Sequence, residues 1–506
     1  MNSKYLTTPI FYVNDKPHMG HAYTTVLTEV LSLYFKYFGN ETFFLTGTDE
    51  HGQKVQQAAL KNKIRAKEHV DKLSKRFQDT WEELSVKPDM FIRTTDREHI
   101  AYVQKQLQTL FDKGLIYEDV YEGWYCESDE TFLTEKDVID GKTVTGKTVE
   151  KISEKSYFLK TSSFQQKIID HINENPDFLR PESRKNEILG YLKSDLRDTC
   201  ISRPKTRLKW GVELPFDSEH VCYVWVDALM NYISALDRNN GDFEKLWQNS
   251  IHIMGKDIVT LHTTIWPAIL MALDIPLPKS IIAHGWLLNK SGEKMSKSKG
   301  DVMDPLELKE IIGVDSLRYY LIRGIKLGSD AEFSREIVAE RINTELSNNY
   351  GNLVNRTLNL CIKYFDSKVP EATPSLKSST DLINLSISTV KEFKDSMQNF
   401  QPQEAVGKVI ELLSETNRYI DKLKPWALAK EDLEKTAECL FTILEVIRVS
   451  TLILKPIMPE KCIKVFDCFK QDLNLDNYDQ ILNIENKLKA GSSLSKPPVI
   501  FPKIEL

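Results

Sequence analysis

The junction Tyr12-Val13-Asn14-Asp15-Lys16-Pro17-His18-Met19-Gly20-His21 constrains this chain more than any other stretch, because a predicted apolar strand over 5–13 passes there through a polar turn into a long helix. Asn14 and Asp15 can satisfy the open N–H groups of a helix start, and Pro17 suits a first helical turn because it has no N–H to leave unpaired. His18 and His21 are three apart, which on a helix puts both imidazoles on one face. That face lies at the helix end whose backbone N–H groups attract phosphate. Gly20 has no Cβ, so a flat ring can come against the backbone there. The blander alternative is two exposed histidines near a helix start.

A second run stands far downstream. Gly292-Glu293-Lys294-Met295-Ser296-Lys297-Ser298-Lys299-Gly300 follows directly on an apolar stretch, 280–288, predicted as a strand. Alone, this lysine and serine loop between glycines reads as a solvated basic turn.

The bulk properties narrow the class. A length of 506 residues allows two to four domains. A hydrophobic fraction of 41% with 28% charged residues is that of a soluble globular protein. The net charge of −6 argues against sequence-independent binding of a polyanion, while permitting local basic patches. Seven scattered cysteines form no disulfide framework and point to a reducing compartment. The first strand begins within a few residues of Met1, and no apolar run reaches membrane-spanning length, so a cytoplasmic protein is expected.

Taken in order, the first helix runs to about Phe38 with a broad apolar stripe, and Gly39 stops it. A second strand over 42–45 then enters the turn Thr46-Gly47-Thr48-Asp49-Glu50-His51-Gly52, completing a βαβ unit with parallel strands and a ligand crevice beyond their carboxyl ends. Thr95 and Glu98 suggest a capping box for a helix ending at Gly114. The texture then changes to short alternating runs. Three more strands, over 221–228, 251–254 and 280–288, alternate with helical patterns. From Pro305 onward helical periodicity dominates. The expected architecture is α/β. A Rossmann-like parallel-sheet domain in two halves, 1–114 and 208–300, is split by a small mixed α/β insertion over 115–207. A linker over 301–340, an all-α bundle over 341–485 and a tail over 486–506 that docks back complete it.

The two glycine-containing motifs, in this order and each at the end of a predicted strand, resemble the paired motifs of class I aminoacyl-tRNA synthetases. Three further stretches make the chain similar to the methionyl-tRNA synthetases over nearly its whole length. They are Gly47-Thr48-Asp49-Glu50-His51-Gly52, Tyr223-Val224-Trp225-Val226-Asp227-Ala228-Leu229-Met230-Asn231-Tyr232, and Gly255-Lys256-Asp257-Ile258-Val259-Thr260-Leu261-His262 with Trp266-Pro267. Taken singly, each of these has a plainer reading, with Trp225 and Tyr232 as core aromatics and His262 as a satisfied internal histidine.

The resemblance implies ATP-dependent activation of methionine to methionyl-adenylate, then transfer to the terminal adenosine of tRNA(Met), the initiator included. On this sequence it implies a methionine pocket of Ile10, Tyr12, Asp49, Trp225, Ala228, Leu229, Tyr232, Ile258 and His262, with Asp49 meeting the ammonium. It implies ATP binding by His18, Gly20, His21, Gly255, Asp257, Lys294, Met295, Ser296, Lys297 and Ser298. Of these His18, His21, Lys294 and Lys297 are catalytic, and Mg²⁺ accompanies ATP. The resemblance further implies anticodon reading by Asn352, Arg356 and Trp426, and tRNA stem contact by the 301–340 stretch. A thioether is a polarisable partner for aromatic rings, and an amide, a guanidinium and an indole suit single-stranded bases.

There are departures too. Many relatives carry four metal ligands in the insertion, largely as Cys-x-x-Cys pairs, but here Cys126-Glu127-Ser128-Asp129 keeps one thiol. No structural zinc is therefore expected, and apolar packing from Trp124, Tyr125, Phe132, Tyr157 and Phe158 is expected to hold the module. The insertion is too short for the editing domains of leucyl, isoleucyl and valyl relatives. The C-terminal end, without an additional oligonucleotide-binding module, leads to the expectation of a monomer. Competing readings are another class I synthetase, a nucleotidyltransferase of the same fold, and a catalytically dead tRNA-binding paralogue.

Overall fold

The computed structural model describes residues 3–126, 131–133, 138–143, 146–237, 243–295, 303–471, 475 and 477–505. Its centre is a parallel sheet. Ser3–Thr7 (β1) and Phe11–Tyr12 (β2) both run beside Glu41–Asp49 (β3), and Met90–Arg93 (β4) also pairs with β3. The stretch 5–13 is thus two strands, not one, because Pro9 has no N–H to continue the ladder. β3 extends to Asp49, past the turn predicted at Thr46. Gly47 permits this, since a Cβ there would stand 2.1 Å from the Ile92 carbonyl of β4.

Met19–Tyr37 (α1) crosses between β1 and β3, and Gly39 follows it at φ 86°. Gln53–Lys61 (α2), Ala66–Glu83 (α3) and Arg97–Asp112 (α4) complete the first half. The capping box expected at Thr95 and Glu98 does not form. Asp96 stands at the N-cap, and the Thr95 hydroxyl instead donates to the buried Glu50 carboxylate.

The middle segment folds around the long antiparallel pair Ile116–Cys126 (β5) and Glu150–Leu159 (β9), with Thr131–Leu133 (β6), Val138–Ile139 (β7) and Lys142–Thr143 (β8) between them in the chain. Gln165–Glu174 (α5) follows, and then Leu179–Arg180 (β10) pairs in parallel with the central sheet. Glu182–Tyr191 (α6) leads to Thr199–Cys200 (β11), which pairs with β9, and to Ser202–Pro204 (β12).

β12, Glu213–Leu214 (β13) and Asp217–Cys222 (β14) make a small antiparallel sheet. The strand predicted over 221–228 ends at Cys222, and Val224–Leu229 is a helix (α7), followed by Asn231–Asp237 (α8) and Phe243–Trp247 (α9). A short run apolar on every side suits a buried helix as well as a buried strand, and periodicity cannot separate them. Ser250–Gly255 (β15) and Ser280–His284 (β16) then join the central sheet, in the order β10-β16-β15-β1-β3-β2, with Val259–Thr263 (α10) and Ile265–Ala272 (α11) between them. The strand predicted over 280–288 breaks after His284. A Cβ on Gly285 would meet the Ser329 backbone at 2.2 Å, and Leu287–Leu288 (β17) pairs elsewhere.

Pro305–Ile312 (α12) and Val314–Arg323 (α13) precede Ala331–Glu332 (β18), the partner of β17, and Arg335–Arg341 (α14). A π-helical stretch, Ile342–Gly351, runs directly into Asn352–Tyr364 (α15). Lys377–Gln398 (α16), Pro402–Leu423 (α17), Pro425–Leu428 (α18), Leu433–Leu454 (α19) and Pro459–Phe469 (α20) form the bundle. The tail returns onto the π-helical stretch. Asn343 exchanges two hydrogen bonds with the Ile504 backbone at 2.8 and 2.9 Å, and Phe501 is buried beside Tyr350.

Alternate residues of β1 serve two cores. Leu6 faces the core shared with α1 and the bundle, while Tyr5 faces that of α7, α8 and α11. Across the first of these runs a buried ion pair, Arg318 on α13 with Glu29 on α1 at 2.6 Å. The same guanidinium donates to the carbonyls of Leu84, Ser85, Pro456 and Ile457. Replacing Arg318 by Met strands the Glu29 carboxylate in the core, at a cost of roughly 3 to 5 kcal/mol. Thermal melting should show a clear fall in Tm for Arg318→Met, partly recovered when Glu29→Gln is added. Equal Tm values for wild type and the single variant would remove this pair from the account of stability.

Candidate active site

β1 has β3 on one side and β15 on the other, so the chain connections diverge at β1 and open a crevice beyond its carboxyl end. α1 begins over that crevice. Its N-cap is His18, with the helix proper starting at Met19, so Asn14, Asp15 and Pro17 lie in the turn instead of capping as their types suggested. His18 Nδ1 accepts from the amides of Gly20 (3.1 Å) and His21 (3.4 Å), and His21 Nδ1 accepts from the His18 amide at 3.3 Å. With both Nδ1 atoms accepting, each neutral ring carries its proton on Nε2 and is a donor there. The two rings stack, centroids 3.7 Å apart. A Cβ on Gly20 would touch the His18 ring at 3.0 Å, so glycine lets that ring fold back onto the helix start.

One cavity of about 430 Å³ opens here. Ile10, Tyr12, Asp49, Trp225, Ala228, Leu229, Tyr232, Ile258 and His262 line it, and so do His18, Gly20, His21, Gly255, Asp257, Lys294 and Met295. Ser296, Lys297 and Ser298 lie outside the described residues. Sequence reasoning passed over several lining residues, among them Lys54, Asn231, His284 and Trp286. Lys54 stands two residues after the Gly47 to Gly52 motif and could have been found from it. Trp286 had no such signal, being hidden in a stretch read as strand.

Around Tyr232 and His262 the cavity wall is held by hydrogen bonds between uncharged groups. His262 Nδ1 donates to the Ile258 carbonyl at 2.9 Å, which leaves Nε2 to accept from the Tyr232 hydroxyl at 2.9 Å. His252 stacks on Tyr232 with centroids 4.1 Å apart, and Thr7 Oγ1 lies 2.8 Å from its Nδ1. Burial lowers His262 to about 4 and His252 well below its usual value, so neither ring is charged near neutrality. At the mouth the character reverses. Lys256 and Lys294 lie over the Trp286 ring at 4.0 and 4.5 Å, and Asp257 accepts from Trp286 Nε1 (3.1 Å) and Lys294 Nζ (3.3 Å). Burial pushes the Asp257 carboxyl up, but Lys294 and the indole donor more than offset this and hold it below the usual carboxylate range.

In the bundle, the Arg356 guanidinium sits 5.4 Å from the ring centre of Trp426 and pairs with Asp421 at 2.8 Å. Trp426 is 38% exposed, so it is a surface ring and not a core one. Asn352, exposed, opens the same helix one turn before Arg356. Among the described residues no group of three or more His, Cys, Asp or Glu could hold a metal ion.

The parallel sheet, the histidine-capped helix and the lysine-bearing loop at one crevice define a class I aminoacyl-tRNA synthetase. The family profile described as tRNA synthetases class I (M) matches residues 4–143 and 135–358, and that described as anticodon binding domain of methionyl tRNA ligase matches 369–506. The methionine-tRNA ligase of Caldanaerobacter subterraneus subsp. tengcongensis is 40% identical over 99% of this chain and 79% of its own length; that of Rickettsia bellii is 41% identical over 100% and 99%. The Mycobacterium tuberculosis methionyl-tRNA synthetase bound by methionyl-adenylate superposes with a TM-score of 0.94 at 36% identity, covering 99% of this chain and 100% of that one. The chain belongs to the methionine-tRNA ligase family, and its activity is that of a methionine-tRNA ligase.

The buried histidines give this pocket a pH signature. Between pH 6.5 and about 4 the unfolded chain binds a proton at residue 262 that the folded chain refuses. Stability therefore falls as pH drops through that window and levels off below it. His262→Asn should show a shallower decline than wild type in urea melts between pH 7 and 4.5; superimposable slopes would mean that His262 titrates normally.

Proposed function

We propose that the cavity binds methionine and ATP side by side, and that the residues lining it divide the work as follows. The neutral wall of Ile10, Tyr12, Trp225, Ala228, Leu229, Tyr232, Ile258 and His262 takes the thioether, and Asp49 takes the ammonium. The methionine carboxylate attacks the α-phosphorus of ATP and pyrophosphate leaves, giving methionyl-adenylate. A ribose hydroxyl of the terminal tRNA adenosine then attacks the adenylate carbonyl, and AMP departs. The carboxylate is already a nucleophile, so the barrier is one of in-line positioning and of charge spreading over the phosphates. His18 and His21 donate from Nε2 on one side. Lys294 and Lys297 approach from the other, with Gly255, Asp257 and the loop residues Met295, Ser296 and Ser298 around the nucleotide. Mg²⁺ enters with ATP, held mainly by phosphate oxygens.

The observation that carries this reading is that residues far apart in sequence, from Ile10 to Met295, line a single cavity at the strand ends. The Mycobacterium tuberculosis relative was solved with methionyl-adenylate, which supports it. Asn352, Arg356 and Trp426 read the anticodon of tRNA(Met), the initiator included, for a cytoplasmic protein-synthesis machinery. Lys294→Ala and His21→Ala should each slow methionine-dependent pyrophosphate exchange by about 10²-fold while methionine affinity stays within a few-fold. Trp426→Ala and Arg356→Ala should spare that exchange and weaken aminoacylation. Loss of exchange in the bundle variants, or weak methionine binding with a normal adenylation rate in the others, would overturn these roles.

The middle module is proposed to fold without zinc. Burial raises the Cys200 thiol, which disfavours the thiolate a metal needs, and the Arg203 cation lies 3.7 Å from its sulfur. That guanidinium is buried between the rings of Tyr125 and Tyr223, 4.9 Å from each centre. Elemental analysis should find no stoichiometric zinc, and protein treated with EDTA, then dialysed free of chelator and assayed with Mg²⁺, should keep its activity; zinc lost together with activity in that treatment would refute the proposal.

A further inference from the structure

Behind the cavity, and absent from its lining, four polar side chains form a chain of hydrogen bonds. Asp227 on α7 lies 2.7 Å from His51 Nδ1 through one carboxylate oxygen and 2.9 Å from His99 Nε2 through the other. The remaining ring nitrogen of His99, Nδ1, is 2.7 Å from Ser234 Oγ on α8. All four residues are buried. Burial pushes the Asp227 carboxyl up, yet the two imidazoles outweigh it and bring the group down to about 2, so it is ionised at any working pH. A carboxylate acting only as acceptor requires His51 to carry its proton on Nδ1 and His99 on Nε2, which leaves His99 Nδ1 to accept from the Ser234 hydroxyl.

The network spans the two halves of the catalytic domain, since His51 follows β3 and His99 belongs to α4, while Asp227 and Ser234 come from the far side of the insertion. Each end adjoins a cavity wall. Asp49 stands two residues before His51, Trp225 two before Asp227 with Ala228 and Leu229 after it, and Tyr232 two before Ser234. An apolar set of the same volume would fill this space without desolvating a charge. What the charged network adds is direction, because charge-assisted hydrogen bonds of fixed length set the spacing of the elements they join.

We propose that Asp227 is a positioning residue for methionine activation: through His51 and His99 it sets the separation between Asp49 and the Trp225 to Tyr232 wall, and so aligns the amino acid's ammonium with its side-chain slot. This rests on the methionine-pocket assignment made under the proposed function. It has a particular consequence for substitution. Asp227→Asn replaces one acceptor by a donor, and His99 can answer by exchanging tautomer, accepting at Nε2 and donating from Nδ1 to Ser234. That answer needs the serine oxygen. Ser234→Ala alone removes a donor to a ring lone pair and a longer contact, 3.3 Å, to the Asn231 carbonyl.

The test is methionine-dependent pyrophosphate exchange with the full chain, with melting curves on every variant. Asp227→Ala should raise the methionine KM about ten- to a hundred-fold, as expected for a misplacement of about 1 Å, and leave the ATP KM within about twofold. Asp227→Asn and Ser234→Ala should each change the methionine KM only a few-fold, and the double variant should exceed the product of the two by at least about threefold. Should Asp227→Ala not fold, the Asp227→Asn and Ser234→Ala cycle decides. Equal rises in both KM values, an unchanged methionine KM, or a double variant that merely multiplies the single effects would overturn the proposal. Asp49→Asn is the control: if it leaves the methionine KM unchanged, the pocket assignment itself fails, whereas a raised KM there with a normal one for the Asp227 variants defeats only the positioning role.

Discussion

The guanidinium of Arg318 is the point on which the two large domains are fixed to each other. Removing an arginine from water is costly, and the interior repays this only when every donor finds a partner. Here one carboxylate and four carbonyls, drawn from α1, the turn after α3 and the turn between α19 and α20, surround it. Glu29, the charged partner, accepts from the Lys87 amide through its other oxygen at 2.8 Å. Glu29 lies in the helix whose first turn carries His18 and His21, so the bundle is referenced directly to the element that caps the crevice. Tyr34 on the same helix adds a hydrogen bond to the Ile453 carbonyl at 2.7 Å. A molecule that must present one face to an anticodon and another to the adenosine end of the same tRNA needs that kind of rigid reference.

Within the crevice, burial sorts the chemistry. Deep in the wall, burial holds His252 and His262 neutral and keeps the Tyr232 hydroxyl protonated, giving a slot that offers shape and polarisable surface without charge. At the mouth, two lysines share the face of Trp286 and one of them rests on Asp257, so cations are gathered at the entrance, where the proposed reading puts the phosphates. The contrast suits a substrate pair in which one member is a neutral thioether and the other a polyanion.

Much of this was legible along the chain. The helical character read after Pro305 is met by the long helices α16, α17 and α19, and Gly39 follows α1 at a positive φ that its lack of a Cβ permits. The residues lining the cavity could be named because they lie in short motifs around the ends of the central strands. What escaped lies mostly where partners from distant sequence decide the local form. The 221–228 run became a strand stub and a helix, Thr95 left its expected cap for Glu50, and His18 displaced Asn14 and Asp15 as the cap of α1. For Thr95 a carboxylate from another element drew the hydroxyl away, whereas the His18 cap is made by amides of its own first turn, an option the usual capping preferences of Asn and Asp did not suggest.

The sequence by itself determined the element types of the long periodic segments, the parallel βαβ beginning and the residues at the strand ends, because periodicity and side-chain chemistry act over a few residues. Only the tertiary structure decided which polar groups became neutral, which stayed charged and which met. Asp227 is ionised because two histidines from the opposite half of the domain enclose it, and Arg203 is buried because two aromatic rings close over it. Protonation and alignment depend on burial and on distances of about 3 Å, and those distances exist only once the chain has brought residues hundreds of positions apart into contact.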